Sequence, residues 1–311
     1  MRAAVMTGTG APRCAEVPEP TPGRPGEELV EVLAVGIHHV TRGHATGLHY
    51  STEGPPPVAG VDGVGRTADG TLKYFVQGPG MPGTLAARTV VDTRRSVTLA
   101  ADADPVAVAG TMNPAMASWL ALRCRVPFTA GQDVLVLGAT GASGTAAVQV
   151  ARHLGARTVV AVGRDRERLA ALPALGATRT VPLEEATRPG QVPEVDVVLD
   201  LLWGAPATDV LAALLRSAAQ RERGLRWVHL GSMAGETAPV PGALLRAARV
   251  ELVGSGFGSV SAADIVRELP GLADHVTRGT IRLETETVPL EDVAEAWSRA
   301  ARSRTRVVVT P

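Results

Sequence analysis

The sequence predicts an α/β protein with two domains: a doubly wound parallel sheet in the middle of the chain and a β-rich barrel built from its two ends. Short apolar strands alternate with helical patterns from residue 133 to residue 254, as in a parallel sheet covered by helices. Residues 1–110 instead hold short strands separated by loops rich in proline and glycine. The predicted domains are therefore 1–110 together with 256–311, and 111–255.

The N-terminal strand patterns end in proline-rich or polar connections. The connection after Ile37 is expected to be a polar loop that reaches Pro57. Asp104 is a candidate cap for a short helix, and Asn113 and Pro114 predict the start of a helix that runs to Arg123, because proline is common in the first turn of helices. The strands expected before this helix are Met1–Met6, Glu28–Ile37, Val58–Gly65 and Thr89–Val91.

The strongest local signal is a β-α-β unit between residues 133 and 168. Val134–Leu137 is an uninterrupted apolar run, as in a strand buried on both faces of a sheet. A helical pattern follows and stops at Gly155, and Thr158–Val162 forms the second apolar strand. Three glycines with G-x-x-G-x-x-G spacing join the first strand to the helix: Gly138, Gly141 and Gly144.

A glycine-rich turn in this context predicts a dinucleotide site. Glycines let the backbone approach a pyrophosphate, whose charge is met by amide groups and by the positive end of the helix. A tight strand-to-helix turn without a ligand is the alternative, since the chain contains 34 glycines. The residues predicted to hold the pyrophosphate are Gly138, Thr140, Gly141, Ala142, Ser143 and Gly144.

The end of the second strand indicates which dinucleotide is bound. NAD-binding units usually place a carboxylate there to hold the ribose 2′-hydroxyl. Here the strand ends in Gly163 and Arg164, which predict room for a larger group and a planar fork for a phosphate. Arg168 lies in the next turn and is a further candidate. NADPH is the expected cofactor, although Asp165 leaves NAD open as an alternative.

The remaining elements continue the alternation and then return to the first domain. Strands are expected at Val195–Leu202, Arg226–Gly231 and Val250–Gly254, with a helix at Thr208–Ala219. The tail is expected to form two helices and a closing strand that rejoins the N-terminal barrel, at Ala262–Leu272, Leu290–Ala301 and Arg306–Thr310.

Composition excludes several classes of partner. Thirty-one basic residues balance 31 acidic ones, and no long run of like charge occurs, which argues against nucleic acid or an acidic membrane. Cys14 and Cys124 are far apart and in no C-x-x-C motif, which is typical of reducing compartments. Because no signal-peptide or membrane-span pattern is present, we expect a soluble cytoplasmic protein.

Several segments in order carry a family resemblance. They are Gly36-Ile37-His38, Pro57–Gly65 with the sequence PVAGVDGVG, Asn113–Met116 with Ser118–Leu120, Gly138–Gly144, Val198–Gly204, and Val288–Val293. Together they cover nearly the whole chain, which resembles the zinc-free quinone oxidoreductase group of medium-chain dehydrogenases/reductases, the group that includes ζ-crystallin.

The resemblance implies a GroES-like barrel domain, a Rossmann domain that binds NADPH, and often a homodimer. The implied reaction transfers a hydride from nicotinamide C4 to a quinone or to the β-carbon of an enone. Asn113 would line the nicotinamide. Further cofactor contacts are expected at the carboxyl ends of later strands: Leu202, Gly231, Ser232, Met233, Ser255 and Gly256.

The same resemblance gives a test for zinc. Zinc alcohol dehydrogenases of this fold place a cysteine at the position of His38 and a His-Glu pair at Val61-Asp62. Valine cannot bind a metal, and the four cysteines of a structural zinc site do not exist here, so we expect no metal. An alternative is that four closely spaced histidines, His38, His39, His44 and His49, bind zinc or copper.

The proton donor is the least determined part of the site. Reduction of an enone or a quinone leaves an oxygen or a carbon that needs a proton. Tyr50 lies on the loop after His38, near a position where related enoyl reductases have a tyrosine, and is the first candidate. His38 and His39 are second candidates, because histidine titrates near neutrality. A proton supplied by solvent is the alternative.

Three rival interpretations compete with this one. A short-chain dehydrogenase would need a glycine at Thr145 and a Tyr-x-x-x-Lys pair, whereas Lys73 directly precedes Tyr74. The sequence excludes it. A biosynthetic enoyl reductase acting on a carrier-bound or polyketide-like intermediate stays open, as does a catalytically silent NADPH-binding protein.

Overall fold

A computed structural model describes residues 1–8, 10–52, 54–303 and 305–311. The chain divides into two compact units. The first consists of Met1–Asn113 and Ile265–Pro311, and the second of Pro114–Asp264. Both division points lie inside helices, whereas the sequence placed them after residues 110 and 255.

The elements of the described residues are numbered in chain order. The strands β1 to β15 are Arg2–Val5, Arg13–Glu16, Glu27–Gly36, Asp62–Arg66, Leu72–Val76, Arg88–Asp92, Ser96–Thr98, Asp133–Leu137, Thr158–Gly163, Arg179–Pro182, Val197–Asp200, Leu225–His229, Val250–Gly254, Thr285–Pro289 and Arg306–Thr310. The helices α1 to α10 are His39–Thr46, Pro105–Leu120, Ala142–His153, Arg166–Ala171, Leu183–Ala186, Gly204–Leu214, Ala218–Arg223, Gly242–Ala247, Ala262–Thr277 and Val293–Ala300.

The second unit contains the predicted doubly wound sheet. Its six strands are parallel and stand in the order β10-β9-β8-β11-β12-β13. From β8 the chain adds β9 and β10 toward one edge of the sheet. It then crosses back and adds β11, β12 and β13 toward the other edge, so the strand order reverses between β8 and β11. Apolar side chains on one face of the sheet form a core cluster that includes Leu135, Leu137, Val160, Val198 and Trp227, which occupy paired positions or positions two apart. The α/β fold class is confirmed.

The first unit is β-rich and is built from both ends of the chain. Its larger sheet has the order β14-β15-β3-β4-β5-β7, with β6 also paired to β3, and β1 pairs with β2. The closing strand β15 pairs antiparallel with β3, with Val308 opposite Gly36. This confirms the predicted return of the C-terminal strand. Ile37, Leu85, Leu290 and Trp297 lie in its core.

One loop prediction and one helix start were wrong. The connection after Ile37 is not all loop, because the His38 side chain accepts the N–H of Thr41 and so caps α1. Asp104 caps a helix, as predicted, since its Oδ1 accepts the N–H of Val106 at 2.9 Å. This helix, α2, begins at Pro105 and continues through Asn113, where a new helix was expected to start. Pro114 therefore lies inside this helix, which ends at Leu120 and is followed by a π-helical turn.

Strand β11 and the helix after it differ from their predicted bounds. Strand β11 ends at Asp200, two residues before the predicted end at Leu202, because the Asp200 carboxylate turns the chain there. The predicted helix to Ala219 is divided into α6 and α7, and Ser217 caps the second. No helix in the described part of the chain is both long enough and apolar enough to cross a membrane.

Candidate active site

The turn between β8 and α3, residues 138–144, is closed by its glycines and is called the glycine turn below. Gly138 has φ of +91°, and the N–H groups of Gly138 and Ala139 both donate to Val162 O at 2.9 Å. A Cβ on Gly144 would lie 2.1 Å from Gly138 O. Helix α3 therefore packs directly on the glycine turn, and only glycine fits at position 144.

The start of α3 is arranged to receive an anion. Gly141 precedes the helix, and no side chain caps it. The first amide groups of a helix have no intrahelical partner, and they carry the positive end of the helix dipole. Ala142, Ser143 and Gly144 supply these amide groups at the glycine turn, as a pyrophosphate requires.

Thr140 connects the glycine turn to the end of β9. A Cβ on Gly163 would lie 2.6 Å from Thr140 Cγ2, so the threonine methyl packs directly against this glycine. Arg168 Nη1 donates to Thr140 O at 2.5 Å. Packing against Thr140 is thus one physical reason for glycine at position 163.

The arginines after β9 differ in their partners. Arg166 forms ion pairs with Glu184 and Glu185, and Arg168 is held by Thr140. Arg164 is exposed and has no hydrogen bond or ion pair within the described ranges. It is therefore the arginine of this turn that can bind a phosphate without breaking an existing contact.

Asp165 has a structural role next to Arg164. Its Oδ1 accepts the N–H of Arg168 at 3.1 Å, which caps helix α4. A carboxylate committed to a helix cap is poorly placed to hold a ribose 2′-hydroxyl as well. This arrangement favours a phosphorylated ribose at the end of β9.

The loops after β11 and β12 lie at the same edge of the sheet as the glycine turn. A Cβ on Gly138 would lie 3.1 Å from Leu202 Cδ2, so the glycine turn and the β11 loop meet where the strand order reverses. Ala234 N donates to Leu202 O at 2.7 Å and joins the β11 and β12 loops. Ligands of such sheets bind in this crevice.

The remaining predicted cofactor residues follow the next strands. Met233 N donates to Leu201 O at 3.4 Å, and the Met233 side chain is exposed. Ser255 N donates to His229 O at 3.0 Å after β13. All the predicted cofactor residues lie in the second unit, after the carboxyl ends of its strands. Besides the residues of the glycine turn and those after β9, they are Leu202, Gly231, Ser232, Met233, Ser255 and Gly256.

A buried hydrogen-bond network, which we call the carboxylate network, lies in the first unit and consists of His38, Asp62 and Tyr74. Asp62 Oδ1 is 2.9 Å from His38 Nε2, and Tyr74 OH donates to Asp62 Oδ2 at 2.7 Å. All three side chains are buried. Because Thr41 N donates to His38 Nδ1, the histidine proton is assigned to Nε2, where it is donated to Asp62.

The negative charge of Asp62 affects the pKa values of two neighbouring side chains, Tyr74 and Arg306. Burial, and then the Asp62 carboxylate, raise the pKa of Tyr74 well above its usual value. Arg306 is half-buried nearby, and its Nη1 donates to Ile37 O at 2.9 Å. Desolvation lowers the pKa of Arg306 to about 10, and attraction to Asp62 opposes that shift. The Asp62 carboxylate therefore accepts hydrogen bonds from two side chains and also attracts the Arg306 guanidinium.

The other predicted catalytic residues occupy different environments. Tyr50 is 71% exposed, and its ring lies 4.4 Å from that of His49. His39 lies at the surface, and partial desolvation, followed by the charge of Arg306, lowers its pKa. Asn113 is half-buried within α2. His38 thus belongs to the carboxylate network, whereas Tyr50 belongs to a surface stack of rings.

The four histidines that are close in sequence do not form one cluster in the structure. His44 and His49 share Ser51 Oγ, at 2.9 and 2.8 Å, and their rings lie 4.8 Å apart. Desolvation lowers the pKa of both. Among the residues that the structure describes, no three His, Cys, Asp or Glu side chains are grouped as metal ligands.

Sequence reasoning missed the roles of Asp62, Tyr74 and Arg306. In the sequence, Asp62 belongs to the Pro57–Gly65 segment of the family resemblance and stands where zinc enzymes have a metal ligand, and neither feature predicts its hydrogen-bond partners. A signal was available, because Asp62 lies in an otherwise apolar, glycine-rich segment that was expected to form a strand. A carboxylate in such a strand requires a buried partner.

The pH dependence of stability tests the carboxylate network. Removing the Tyr74 hydroxyl with Tyr74→Phe is expected to lower the free energy of unfolding by about 2 kcal/mol at pH 7, because a hydrogen bond to a buried carboxylate is lost. The folded-state pKa of Tyr74 is raised, so its contribution is complete below about pH 10 and declines as pH rises further.

The difference between the wild-type protein and Tyr74→Phe should therefore shrink above about pH 10. Urea unfolding of both proteins from about pH 7 to about pH 11.5 measures it, and the titration of Arg306 cancels because both proteins contain it. A difference that stays constant over this range would contradict the assignment.

Comparisons with known proteins agree with this geometry. No protein-family model matches the chain. A probable NADPH-dependent quinone reductase of Emericella nidulans is 34% identical, and the alignment covers 96% of each protein. The solved quinone oxidoreductase of Thermus thermophilus, also determined with NADPH, is 28% identical with a TM-score of 0.82 and full coverage of both chains. A quinone oxidoreductase of Pseudomonas syringae pv. Tomato, at 22% identity and a TM-score of 0.80, shares the fold over the full length of both chains.

The parallel sheet with its glycine turn, joined to a β-rich unit made from both chain ends, defines a medium-chain dehydrogenase/reductase, and the chain is an oxidoreductase of that superfamily. Within it, the chain belongs to the zinc-free quinone oxidoreductase group.

Proposed function

We propose that this protein is an NADPH-dependent, metal-independent reductase that transfers a hydride to a quinone or to an α,β-unsaturated carbonyl compound. The exposed Arg164, which has no ion pair or hydrogen bond among the described residues, carries the proposal, because a guanidinium fork matches a ribose 2′-phosphate. The named activity of the Emericella relative and the NADPH complex of the Thermus protein support it.

The cofactor would be held by the second unit. The glycine turn and the first amide groups of α3 bind the pyrophosphate, and Arg164 binds the 2′-phosphate. When bound, the reduced nicotinamide supplies the hydride. Asn113 is proposed to line the nicotinamide, as the family resemblance implies.

Metal independence rests on the residues at the positions where zinc enzymes carry ligands. His38 and Asp62 are hydrogen-bonded to each other there, and Tyr74 OH donates to the second carboxylate oxygen. The side chain of Val61 has no atom that can bind a metal. A metal at this place would have to displace a satisfied buried network.

The reduced acceptor needs a proton, and Tyr50 is the proposed donor. Its exposed hydroxyl can exchange with water after each turnover. His39 is a second donor, since its lowered pKa makes its protonated form a stronger acid. The ring nitrogens of His38 are both engaged, so His38 can release a proton only if the carboxylate network rearranges. Direct protonation by water remains the alternative.

The proposal includes a homodimer, which rests on the family resemblance, and a cytoplasmic location, which rests on the cysteine usage and on the lack of a signal-peptide or membrane-span pattern in the sequence. Cys14 and Cys124 are both half-buried, and no disulfide joins them to each other, as is usual for a protein of a reducing compartment.

Arg164→Ala tests the choice of cofactor. The ratio of kcat/KM for NADPH to that for NADH is expected to fall about 50-fold, because the charge-assisted bonds to the 2′-phosphate are lost. Arg166→Ala is the matched control, since Arg166 is already paired with Glu184 and Glu185, and it should keep the ratio within about twofold. Steady-state oxidation of each cofactor with one quinone measures both. Equal use of NADPH and NADH by the wild-type protein would contradict the proposal.

A further inference from the structure

Trp203 has a backbone conformation that tryptophan rarely adopts. Its φ is +55° and its ψ is −162°, and it is the one non-glycine residue with positive φ in the part of the chain that the structure describes. This region is populated almost entirely by glycine, because a Cβ atom clashes with the backbone there. A bulky residue persists in it only when its surroundings impose the conformation.

The Asp200 carboxylate imposes the turn. Its Oδ1 accepts the N–H groups of Leu202 and Trp203 at 2.8 and 2.9 Å, and its Oδ2 accepts Trp227 Nε1–H at 2.9 Å. Burial raises the pKa of Asp200. Gly204 follows with φ of +68°, and a Cβ there would lie 2.8 Å from Ala234 O.

The Trp203 ring is fixed at the crevice edge of the sheet. It is half-buried, and its centroid lies 4.7 Å from that of His229, with the planes tilted by 54°. His229 Nε2 is in turn 3.3 Å from Ser232 Oγ. The conformation of the backbone thus presents an aromatic ring at the carboxyl ends of β11 and β12, next to the predicted cofactor residues Leu202 and Ser232.

The strand order places the Trp203 ring on the side of the sheet where the nicotinamide half of a bound dinucleotide would lie. The strands stand as β9, β8, β11 and β12. A dinucleotide with its 2′-phosphate at Arg164, after β9, and its pyrophosphate at the glycine turn, after β8, has its nicotinamide half on the side of β11 and β12. We propose that Trp203 binds and orients the nicotinamide half of NADPH, and that its strained backbone is maintained for that purpose. This inference rests on the proposed function.

Calorimetric titration with two ligands tests the position of the ring. Adenosine 2′,5′-bisphosphate contains the Arg164 end of the cofactor and lacks the nicotinamide. Trp203→Ala should bind NADPH about tenfold more weakly, the order expected for one aromatic contact, and should bind the bisphosphate as the wild-type protein does. Trp203→Phe keeps a ring and should retain most of the NADPH affinity. Arg164→Ala should weaken the binding of both ligands.

The titrations distinguish a failure of the proposed function from a failure of the role assigned to Trp203. If the wild-type protein binds neither ligand, the proposed function is wrong. If the wild-type protein binds both and Trp203→Ala keeps full NADPH affinity, or loses both ligands equally, the assignment of Trp203 is wrong while the proposed function stands.

Thermal unfolding of the ligand-free variants tests the backbone separately. Glycine normally makes a protein less stable than alanine does at the same site. At position 203 the order should reverse, with Trp203→Gly melting at a higher temperature than Trp203→Ala, because only alanine retains the strain. Both variants lose the same ring, so packing cancels in the comparison. An equal or lower melting temperature for the glycine variant would overturn the strain argument.

Discussion

Gly144→Ala is expected to lower the free energy of unfolding by about 3 kcal/mol and to abolish measurable NADPH binding. The added methyl would lie 2.1 Å from Gly138 O and 2.6 Å from Ala139 Cα, and both are backbone atoms that cannot rotate away. Helix α3 would have to move off the glycine turn, and its amide groups would leave the place where the pyrophosphate binds. Urea unfolding and calorimetric titration with NADPH measure the two effects.

Gly141→Ala is the matched control in the same turn. Gly141 has φ of −82°, which alanine adopts without strain, and the nearest atom to its added methyl is 3.7 Å away. This variant should unfold like the wild-type protein while binding NADPH more weakly, because the methyl occupies space that the pyrophosphate approaches. Equal destabilisation by the two substitutions would show that the close approach at Gly144 is not the cause.

Asp62→Asn is expected to lower the free energy of unfolding by about 3 kcal/mol. The carboxylate accepts hydrogen bonds from His38 and Tyr74, whereas an asparagine amide turns its NH₂ group toward one of these donors. The half-buried Arg306 also loses the negative charge that favours its ionised form. Urea unfolding at pH 7 measures the change.

Asp102→Asn provides the control for this substitution. Asp102 is exposed, and the same chemical change there should alter the free energy of unfolding by less than about 0.5 kcal/mol. If Asp62→Asn is as mild as Asp102→Asn, then the carboxylate network contributes little to the stability of the first unit.

Local patterns were enough to predict the part of the fold that holds the glycine turn. The apolar run Val134–Leu137, the glycine spacing and the second apolar strand all lie within about one β-α-β unit, so short-range sequence determines them. The return of Arg306–Thr310 to the first unit was also predicted, although it pairs with a strand far away in sequence.

The sequence indicates that Asp62 needs a buried partner, but the partners themselves could not be predicted, because they come from separate elements. His38 is 24 residues from Asp62, and Tyr74 is 12 residues from it. Only the pairing of β4 with β5 brings Asp62 and Tyr74 together, and only the cap of α1 turns the His38 ring toward them. Sequence spacing carries no information about such contacts.

Two details of the cofactor region required side-chain geometry. Three arginines follow β9 in the sequence, and their partners, not their order, identify Arg164 as the one without a contact among the described residues. Trp203 carries no signal for positive φ, since that conformation is expected of glycine. The Asp200 carboxylate enforces it through bonds that the sequence does not reveal.

The most direct test of the central claim is the loss of reduced-nicotinamide absorbance when the wild-type protein is mixed with NADPH or NADH and a panel of quinones and α,β-unsaturated ketones. We expect acceptor-dependent oxidation of NADPH, with NADH used much less efficiently. Turnover with quinones alone would assign the protein as a quinone reductase, and turnover with the ketones would assign it as an enone reductase. Tight NADPH binding without oxidation by any member of the panel would contradict the proposed activity.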